Sequence, residues 1–201
     1  MKRKMRGLVE NYSRMSIEVK SMVKVDRIEH VIELSDGVNA TLGDDGNVTI
    51  TGPKGSISRV FVSKDIRMFI EGNSIILNID VPRRKQKAMI GTWNAHLNNM
   101  VKGVTDGFTY NLKAFYSHFP MTLSVSNNVF TVNNYFGEKV PRTADILNGV
   151  EVKVSNKVEV TVSGISKEDV GQTAANIERC VTVKNRDRRV FQDGIYLISK
   201  E

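Results

Sequence analysis

The sequence contains a single cysteine, Cys180, among its 201 residues. This scarcity excludes an internal disulfide and a zinc site built from cysteine pairs. No run of roughly 18 consecutive apolar residues is present, so no membrane-spanning helix is predicted. The basic N-terminus is not followed by an apolar segment, which argues against a secretory signal and favours a cytoplasmic location. The chain has only four prolines, and 40% of its residues are hydrophobic and 25% are charged. This composition is typical of a protein that folds around a hydrophobic core.

Groups that could support catalysis are also scarce. The imidazoles are His30, His96 and His118, and packing or surface roles are the more common fate of such isolated histidines. No nucleophile elbow, Walker A motif or Rossmann glycine pattern occurs. We therefore expect no enzymatic activity, metal, cofactor or small-molecule substrate. A small hydrolase that uses His96 or His118 is the least favoured hypothesis.

The net charge of +7 is concentrated in three segments. Residues 1–28 carry a net charge of +5, residues 83–87 carry +4 and residues 184–189 carry +3, while the rest of the chain sums to −5. Lysine and arginine side chains that neutralise phosphates release condensed counterions, so such segments suit a polyanionic partner. A solvated basic face is the alternative for any one of them. Three separate segments favour nucleic acid.

The chain also repeats one pattern of strands and a helix. Helix residues 90–97 align with residues 170–177, and Ile75, Leu77 and Ile79 align with three alternating valines at 158, 160 and 162. We predict an α+β protein with two tandem duplicated domains, each a small, mostly antiparallel sheet with one long helix packed on one face. The predicted strands span 38–42, 48–51, 56–61, 74–79, 108–112, 121–125, 129–132, 150–154, 158–162 and 195–198.

The helix starts and the domain limits follow from the same pattern. Pro82 suits the first helical position of the first helix, and Ser166 is predicted to cap the second helix. The predicted units are a basic N-terminal extension over 1–28, a first repeat over 29–116 and a second repeat over 117–201. The extension is either a disordered arm or a wrongly assigned start, with Met15 and Met22 as other candidate starts. Aromatic residues between the halves are expected to pack them together: Tyr110, Phe115, Tyr116 and Phe119, with Pro120.

Several strings of residues then identify a family. The strings at 118–120, 134–139, 174–177 and above all 185–196, which reads Asn-Arg-Asp-Arg-Arg-Val-Phe-Gln-Asp-Gly-Ile-Tyr, resemble the large-subunit ribosomal protein family numbered six in bacteria and nine in eukaryotes. The strings at 52–55 and 98–108 agree, so the resemblance covers about residue 29 to the end. The ending is archaeal or eukaryotic in type, since the bacterial Tyr-Lys-Gly-Lys-Gly pattern is absent.

The resemblance implies a structural constituent of the large ribosomal subunit. Family members bind large-subunit rRNA, chiefly through the second domain, near the sarcin-ricin loop and the base of the factor-binding stalk. Neighbouring ribosomal proteins and nearby translation factors are the other implied partners. The alternative is a non-catalytic RNA- or protein-binding adaptor outside the ribosome. The implied rRNA-binding residues are Lys139, Arg142, Lys184, Arg186, Arg188 and Arg189. The charge of residues 83–87 adds Arg83, Arg84, Lys85 and Lys87 as a secondary candidate set.

Elementary electrostatics bears on both basic segments. Lys184 follows the second helix, whose dipole favours a cation at that end, but Arg188 and Arg189 lie beyond the last turn and gain little from it. Arginine's planar fork suits phosphate contacts there. Asp193-Gly194 is predicted to close a turn that holds this segment against the sheet. Residues 83–87 oppose the dipole of the first helix, so either that helix begins later, near Ala88, or an external anion compensates.

Overall fold

The computed structural model describes residues 27–201. Residues 1–26, with the predicted extension and the candidate starts at Met15 and Met22, lie outside the described residues. Arg27 and Ile28, which were assigned to that extension, belong to the first strand. Within residues 27–201, neither of the two α-helices is both long and apolar enough to cross a membrane.

The strands and helices follow one order twice. In each repeat a single strand is followed by three strands, a hairpin and a long helix. The first repeat consists of β1 (Arg27–Glu33), β2 (Asn39–Leu42), β3 (Asn47–Gly52), β4 (Gly55–Val60), β5 (Arg67–Glu71), β6 (Ser74–Asp80) and α1 (Arg84–Thr105). The second repeat consists of β7 (Phe108–Phe115), β8 (Thr122–Ser126), β9 (Val129–Asn133), a 3-10 helix (Tyr135–Gly137), β10 (Arg142–Asp145), β11 (Val150–Ser155), β12 (Glu159–Gly164) and α2 (Lys167–Cys180), and β13 (Gly194–Lys200) ends the chain.

Every strand pairing in these residues is antiparallel. The first repeat has the sheets β1-β6-β5 and β2-β3-β4, and the second has β11-β12-β7-β13 and β8-β9-β10. The predicted α+β fold with two duplicated domains is confirmed, although each repeat contains two sheets where one was expected. Strands β1, β5 and β10 were missed, because their polar residues obscure the alternation that the longer strands show.

The strand after α1 belongs with the second repeat. Sequence analysis placed it at the end of the first repeat, but β7 pairs with β12 and β13. Its counterpart in the first repeat is β1, since Ile28 pairs with Ile79 as Tyr110 pairs with Val162. A strand that follows a helix has the same sequence pattern whether it closes one repeat or opens the next. Only its strand pairing shows to which repeat it belongs. The structural boundary therefore lies before Phe108.

Each repeat has its own hydrophobic core. Ile75, Leu77 and Leu97 are buried in the first, where β6 meets α1, and Val160 and Ile177 are buried in the second, where β12 meets α2. Burying such side chains stabilises a fold by about 1.5 to 3 kcal/mol each. Each helix therefore turns its buried apolar residues toward the core of its own repeat.

The two repeats meet at the C-terminal part of α1 and the start of α2. Gly103 of α1 lies so close to the carbonyl oxygen of Ile165 that a Cβ at this position would overlap with it. Beside this contact, Glu168 accepts a hydrogen bond from Arg59 and lies 3.0 Å from Nδ1 of His96. This interface therefore depends on a close approach of backbone to backbone, flanked by polar contacts.

The aromatic residues expected between the halves lie elsewhere, so that prediction was wrong. Tyr110 is buried in the second core, and Phe115, Tyr116 and Phe119 are exposed. The reason is that β7 carries Tyr110 into the core of the second repeat, while Phe115 ends that strand and Tyr116 and Phe119 follow it on the surface.

The close approach at Gly103 predicts that Gly103→Ala destabilises the protein by about 1 to 3 kcal/mol, because the added methyl group displaces the Ile165 carbonyl. Gly91→Ala is the matched control in the same helix, since a Cβ there meets open space. That change should stabilise the helix by about 0.5 to 1 kcal/mol. Urea denaturation of both variants checks the prediction, and equal effects at the two positions would contradict it.

Candidate nucleic-acid interface

One group of exposed cations lies in the segment between α2 and β13, residues 182–193, here called the basic loop. Lys184, Arg186, Arg188 and Arg189 are all exposed on it. A tight turn shapes its centre: the carbonyl of Asp187 accepts hydrogen bonds from the amides of residues 190 and 191, and its carboxylate accepts one from the amide of Arg189 at 2.9 Å. The loop therefore presents its cations on an ordered backbone.

Asp193 anchors the end of the basic loop. Its side chain is only 3% exposed and accepts hydrogen bonds from the amide and hydroxyl of Ser117 at 3.1 and 3.0 Å. It also contacts the amide and Nδ1 of His118 at 3.2 and 3.0 Å. Burial alone would raise the pKa of Asp193, but these hydrogen bonds from His118 and Ser117 outweigh it and lower the pKa. The expected turn at Asp193-Gly194 thus holds the loop through a buried carboxylate.

Tyr135 holds the other end. Its hydroxyl oxygen lies 2.5 Å from the carbonyl oxygen of Val181 and 3.2 Å from that of Asp193, so its single proton is shared between two backbone acceptors. One buried phenol therefore joins the residue after α2 to the residue before β13 and closes the base of the basic loop. Burial raises the pKa of Tyr135 to about 12, so the phenol remains protonated and able to donate at neutral pH.

Arg142 faces inward. Its guanidinium donates two hydrogen bonds to Glu138, at 2.8 and 2.7 Å, and two to the carbonyls of Cys180 and Thr182, at 3.1 and 2.9 Å. It also lies 4.3 Å from the centroid of the Tyr135 ring. The hydrogen bond from Arg142 holds the pKa of Glu138 below its ordinary value. Four of the five donors of Arg142 are used within the protein, and those to Cys180 and Thr182 stabilise the C-terminal end of α2.

Arg186 lies against aromatic rings. Its guanidinium is 5.0 Å from the ring centroids of both Phe136 and Phe191, and the ring of His118 lies 4.9 Å from that of Phe191. Stacking of this kind orients a guanidinium without using its N–H donors, which stay available to an oxygen ligand. Phe136 is held in a left-handed backbone conformation, with φ of 50°. Sequence analysis identified the arginine but not the rings that support it.

Two other cations implied by the resemblance, Lys139 and Lys184, form no side-chain hydrogen bond or ion pair within residues 27–201. Lys139 is exposed and follows the 3-10 helix, in the same connection as Glu138. Lys184 is exposed near the C-terminal end of α2, where the dipole favours it. Both lie on the second repeat, as do the arginines of the basic loop, so the six implied primary residues share one repeat.

The four secondary cations lie at the beginning of α1. The helix begins at Arg84, so the alternative start near Ala88 is wrong, and Pro82 lies outside the helix. The amide of Arg83 donates a hydrogen bond to Gln86 at 2.7 Å, and Gln86 donates to Asp65 at 2.7 Å. No acidic residue occupies the first turn. Because the helix does not start later, an external anion remains the explanation for cations at this end of the helix dipole.

The histidines do not form a catalytic arrangement. His118, Ser117 and Asp193 lie within hydrogen-bonding distance, but Ser117 and Asp193 both approach the same nitrogen, Nδ1, of His118. A catalytic triad needs the serine on one ring nitrogen and the carboxylate on the other. His96 contacts Arg59 and Glu168 at the junction of the repeats. Within residues 27–201, no group of three or more His, Cys, Asp or Glu residues is placed to hold a metal ion.

Comparison with known proteins identifies the family. The sequence model described as Ribosomal protein L6 matches residues 34–107 and 119–194. The chain belongs to the ribosomal protein L6 family. The two matches of this L6-family chain fall one on each repeat, in agreement with the duplication. The resemblance carried by the motifs is confirmed.

Two archaeal relatives are similar to this L6-family chain over nearly their whole length. The large ribosomal subunit protein uL6 of Methanobrevibacter smithii is 47% identical over 180 residues, which cover 90% of this chain and 100% of that protein. The large ribosomal subunit protein uL6 of Methanosarcina mazei is 43% identical over 176 residues, which cover 88% of this chain and 99% of that protein. These relatives agree with the archaeal or eukaryotic character of the motifs.

Sequence reasoning on the L6-family chain missed the groups that hold the basic loop in place. Tyr135, Phe136 and Phe191 occur in the strings that carried the resemblance, but nothing in their spacing shows that they meet. The two residues that the hydroxyl of Tyr135 contacts, for example, lie 46 and 58 residues away along the chain. The only sequence signal for this framework was Asp193-Gly194 before a strand. It predicted the turn but not that the carboxylate of Asp193 is buried.

The buried carboxylate generates a prediction with a defined pH dependence. Asp193→Asn should destabilise the protein by about 1 to 3 kcal/mol at neutral pH. The side-chain NH2 of asparagine would face the N–H and O–H donors of Ser117 and His118 in a buried position, where two donors cannot bond each other. The pKa of Asp193 is lowered on folding, so its contribution is complete above the ordinary aspartate value of about 3.9 and is lost as the pH falls through the folded value.

The difference in unfolding free energy between the wild type and Asp193→Asn should therefore narrow on acidification below about pH 4. Denaturant titrations at a series of pH values measure it. Asp145→Asn, at an exposed aspartate of the same repeat, is the control and should have little effect at any pH. A difference that stays constant into strong acid would contradict the role of the carboxylate.

Proposed function

We propose that this protein is a structural, non-catalytic constituent of the large ribosomal subunit and binds large-subunit rRNA mainly through its second repeat. The observation that carries the proposal is the basic loop, which displays four exposed cations above a buried framework of hydrogen bonds. The relatives named large ribosomal subunit proteins support the ribosomal assignment. Its location is then the cytoplasmic ribosome, beside other ribosomal proteins.

The proposed binding site lies near the sarcin-ricin loop and the base of the factor-binding stalk, with translation factors nearby. This placement rests on the family resemblance. The proposed primary contacts are made by Lys139, Lys184, Arg186, Arg188 and Arg189, and Arg142 acts by positioning them.

Phosphates and 2′-hydroxyls are the groups that this surface suits. The deep groove of an A-form helix hides its base edges, so recognition of folded RNA relies on shape and backbone contacts. Arginines in the basic loop can form paired hydrogen bonds to phosphate oxygens, and Arg186 is already oriented for this by the rings of Phe136 and Phe191. No base-specific contact needs to be invoked.

A non-catalytic adaptor outside the ribosome is the alternative. Sucrose-gradient sedimentation separates the two: a ribosomal constituent migrates with large subunits, and an adaptor stays at the top of the gradient. Recovery of the protein only at the top would contradict the proposed function.

Replacement of Arg186, Arg188 and Arg189 by glutamine should weaken binding to large-subunit RNA fragments and flatten its salt dependence. Each phosphate contact contributes about 0.7 to 0.9 to the slope of log affinity against log salt, so the slope should fall by about two to three. Filter binding at several salt concentrations measures both quantities.

The control for this triple variant replaces three exposed lysines elsewhere in the second repeat by glutamine. They remove the same charge without touching the basic loop: Lys153, Lys157 and Lys200. The control should retain most of the affinity and slope. Equal losses in the two triple variants would indicate nonspecific attraction to the total charge and would contradict a defined site.

The start of α1 gives a separate test, in which stability and binding change in opposite directions. Arg84→Glu with Lys85→Glu should stabilise the protein by about 0.3 to 1 kcal/mol per site, because carboxylates favour a helix N-terminus, while RNA binding weakens. Lys102→Glu in the last turn of the same helix should destabilise it by a similar amount. Thermal melts and filter binding provide the measurements. Unchanged RNA affinity in the double variant would remove this segment from the proposed interface.

A further inference from the structure

One face of the β1-β6-β5 sheet is open. Alternate residues of β6, such as Ile75 and Leu77, point into the core against α1, so Ile76 lies on the opposite face. There it stands between Val31 of β1 and Phe69 of β5, its direct partners across the three strands. None of these three residues belongs to the core cluster of the first repeat. Val31 is 55% exposed, Phe69 is half-buried, and Ile76, between them on the central strand, is 9% exposed. We call Val31, Ile76 and Phe69 the apolar row.

The second repeat shows which residues the same fold can carry at these positions. By the strand pairing of the duplicated sheets, the equivalents of Val31, Ile76 and Phe69 are Lys113, Glu159 and Ser155. These are polar, and the Nζ of Lys113 lies 3.7 Å from the carboxylate of Glu159. The architecture therefore does not require apolar residues here. Adjacent apolar residues on an outward sheet face, at positions where the fold does not need them, mark a contact surface.

Acidic residues surround the apolar row. Glu33 and Glu71 flank Ser74 on the next row of the same face, and within residues 27–201 neither carboxylate forms an ion pair. The row on the other side carries Glu29 and Arg67, with Asn78 between them. The face as a whole has four carboxylates and two guanidinium groups: Glu29, Glu33, Glu71 and Asp80, with Arg27 and Arg67. A chain with a net charge of +7 thus presents a locally acidic surface around its apolar row.

We propose that this open face of the first repeat docks a basic segment of a neighbouring protein, which places apolar side chains on the apolar row and lysine or arginine near Glu33 and Glu71. The proposal rests on the proposed function in that the neighbour is another protein of the large subunit. Charge complementarity selects this occupant, because carboxylates repel phosphates and attract cationic peptide segments. The protein then has two opposite surfaces, a basic loop for RNA and an acidic, apolar face for protein.

Three other occupants of this face can be considered: a second copy of the chain, RNA, and residues 1–26 of the chain itself. A second copy of this chain would bring Glu33 and Glu71 against identical carboxylates if the same face met itself. RNA would place phosphates against the same groups. Residues 1–26, with a net charge of +4, precede β1 and are the competing occupant from the chain itself.

Photo-cross-linking identifies the occupant. Phe69 is replaced by the photoreactive residue benzoylphenylalanine in the full chain, and large subunits that contain it are purified and irradiated. Mass spectrometry should find Phe69 joined to a peptide of net positive charge from another protein of the subunit. The same replacement at Ser155, its equivalent in the second repeat, is the control and should give no such product. A cross-link to RNA, to residues 1–26 or to a second copy, or no cross-link, would overturn the proposal.

A variant tests whether the contact contributes to assembly. Val31→Lys, Ile76→Glu and Phe69→Ser together give the apolar row the residues that the second repeat already tolerates. Mixed with tagged wild-type protein during assembly, the variant should enter large subunits about tenfold less, since loss of buried anchors commonly has effects of this size. Val60→Lys, at another exposed strand valine of the first repeat, should enter as well as the wild type.

Two further measurements separate the causes of failure. Circular dichroism and affinity for isolated large-subunit RNA should be unchanged in the row variant, because the basic loop lies in the other repeat. Normal RNA binding with equal entry into subunits would overturn the docking proposal alone. Absence of the wild-type protein from large subunits would overturn the proposed function, and the docking proposal with it.

Discussion

A loop that displays four cations and few apolar side chains cannot hold its shape by packing, and here it depends on the buried carboxylate of Asp193. Water is excluded from this carboxylate, so its hydrogen bonds to Ser117 and His118 are costly to break. The phenol of Tyr135 adds a second closure at the base of the loop. The exposed arginines are thus pre-organised, and an RNA ligand need not supply the free energy to order them.

Arg142 shows how a cation in a basic surface can act without touching the ligand. It fills the space between Glu138, the ring of Tyr135 and the last carbonyls of α2. A lysine could not satisfy both carbonyls and the carboxylate, because it lacks the planar fork. Charge alone therefore does not distinguish a contact residue from a supporting one, and the geometry of the donors does.

Duplication has given the protein two copies of one scaffold with different surfaces. The long segment after α2 carries the arginines, and the second repeat has polar residues at the three positions equivalent to the apolar row. The first repeat keeps apolar residues on the equivalent face, where Ile76 stands in place of Glu159. On an unchanged strand pairing, three side-chain differences distinguish the apolar row of the first repeat from its polar equivalent in the second. The backbone contact at Gly103 and Ile165 joins the two units.

The sequence by itself determined the features that depend on local periodicity and on charge. Alternation along the strands, the stripes of α1 and α2 and the capping residue Ser166 act over a few neighbouring residues, so they can be identified before the fold is known. The basic segments and the family motifs belong to the same class. They were sufficient to predict the duplicated α+β fold and the cations of the basic loop.

Only the tertiary structure decided which elements pair and which charges are free. Strand β7 opens the second repeat because it pairs with β12, a choice between partners that its own residues do not encode. Arg142 is used internally and Arg186 is stacked on rings because residues distant along the chain meet around them. The physical reason is that pairing and burial are properties of two or more segments together, and a pattern within one segment constrains neither.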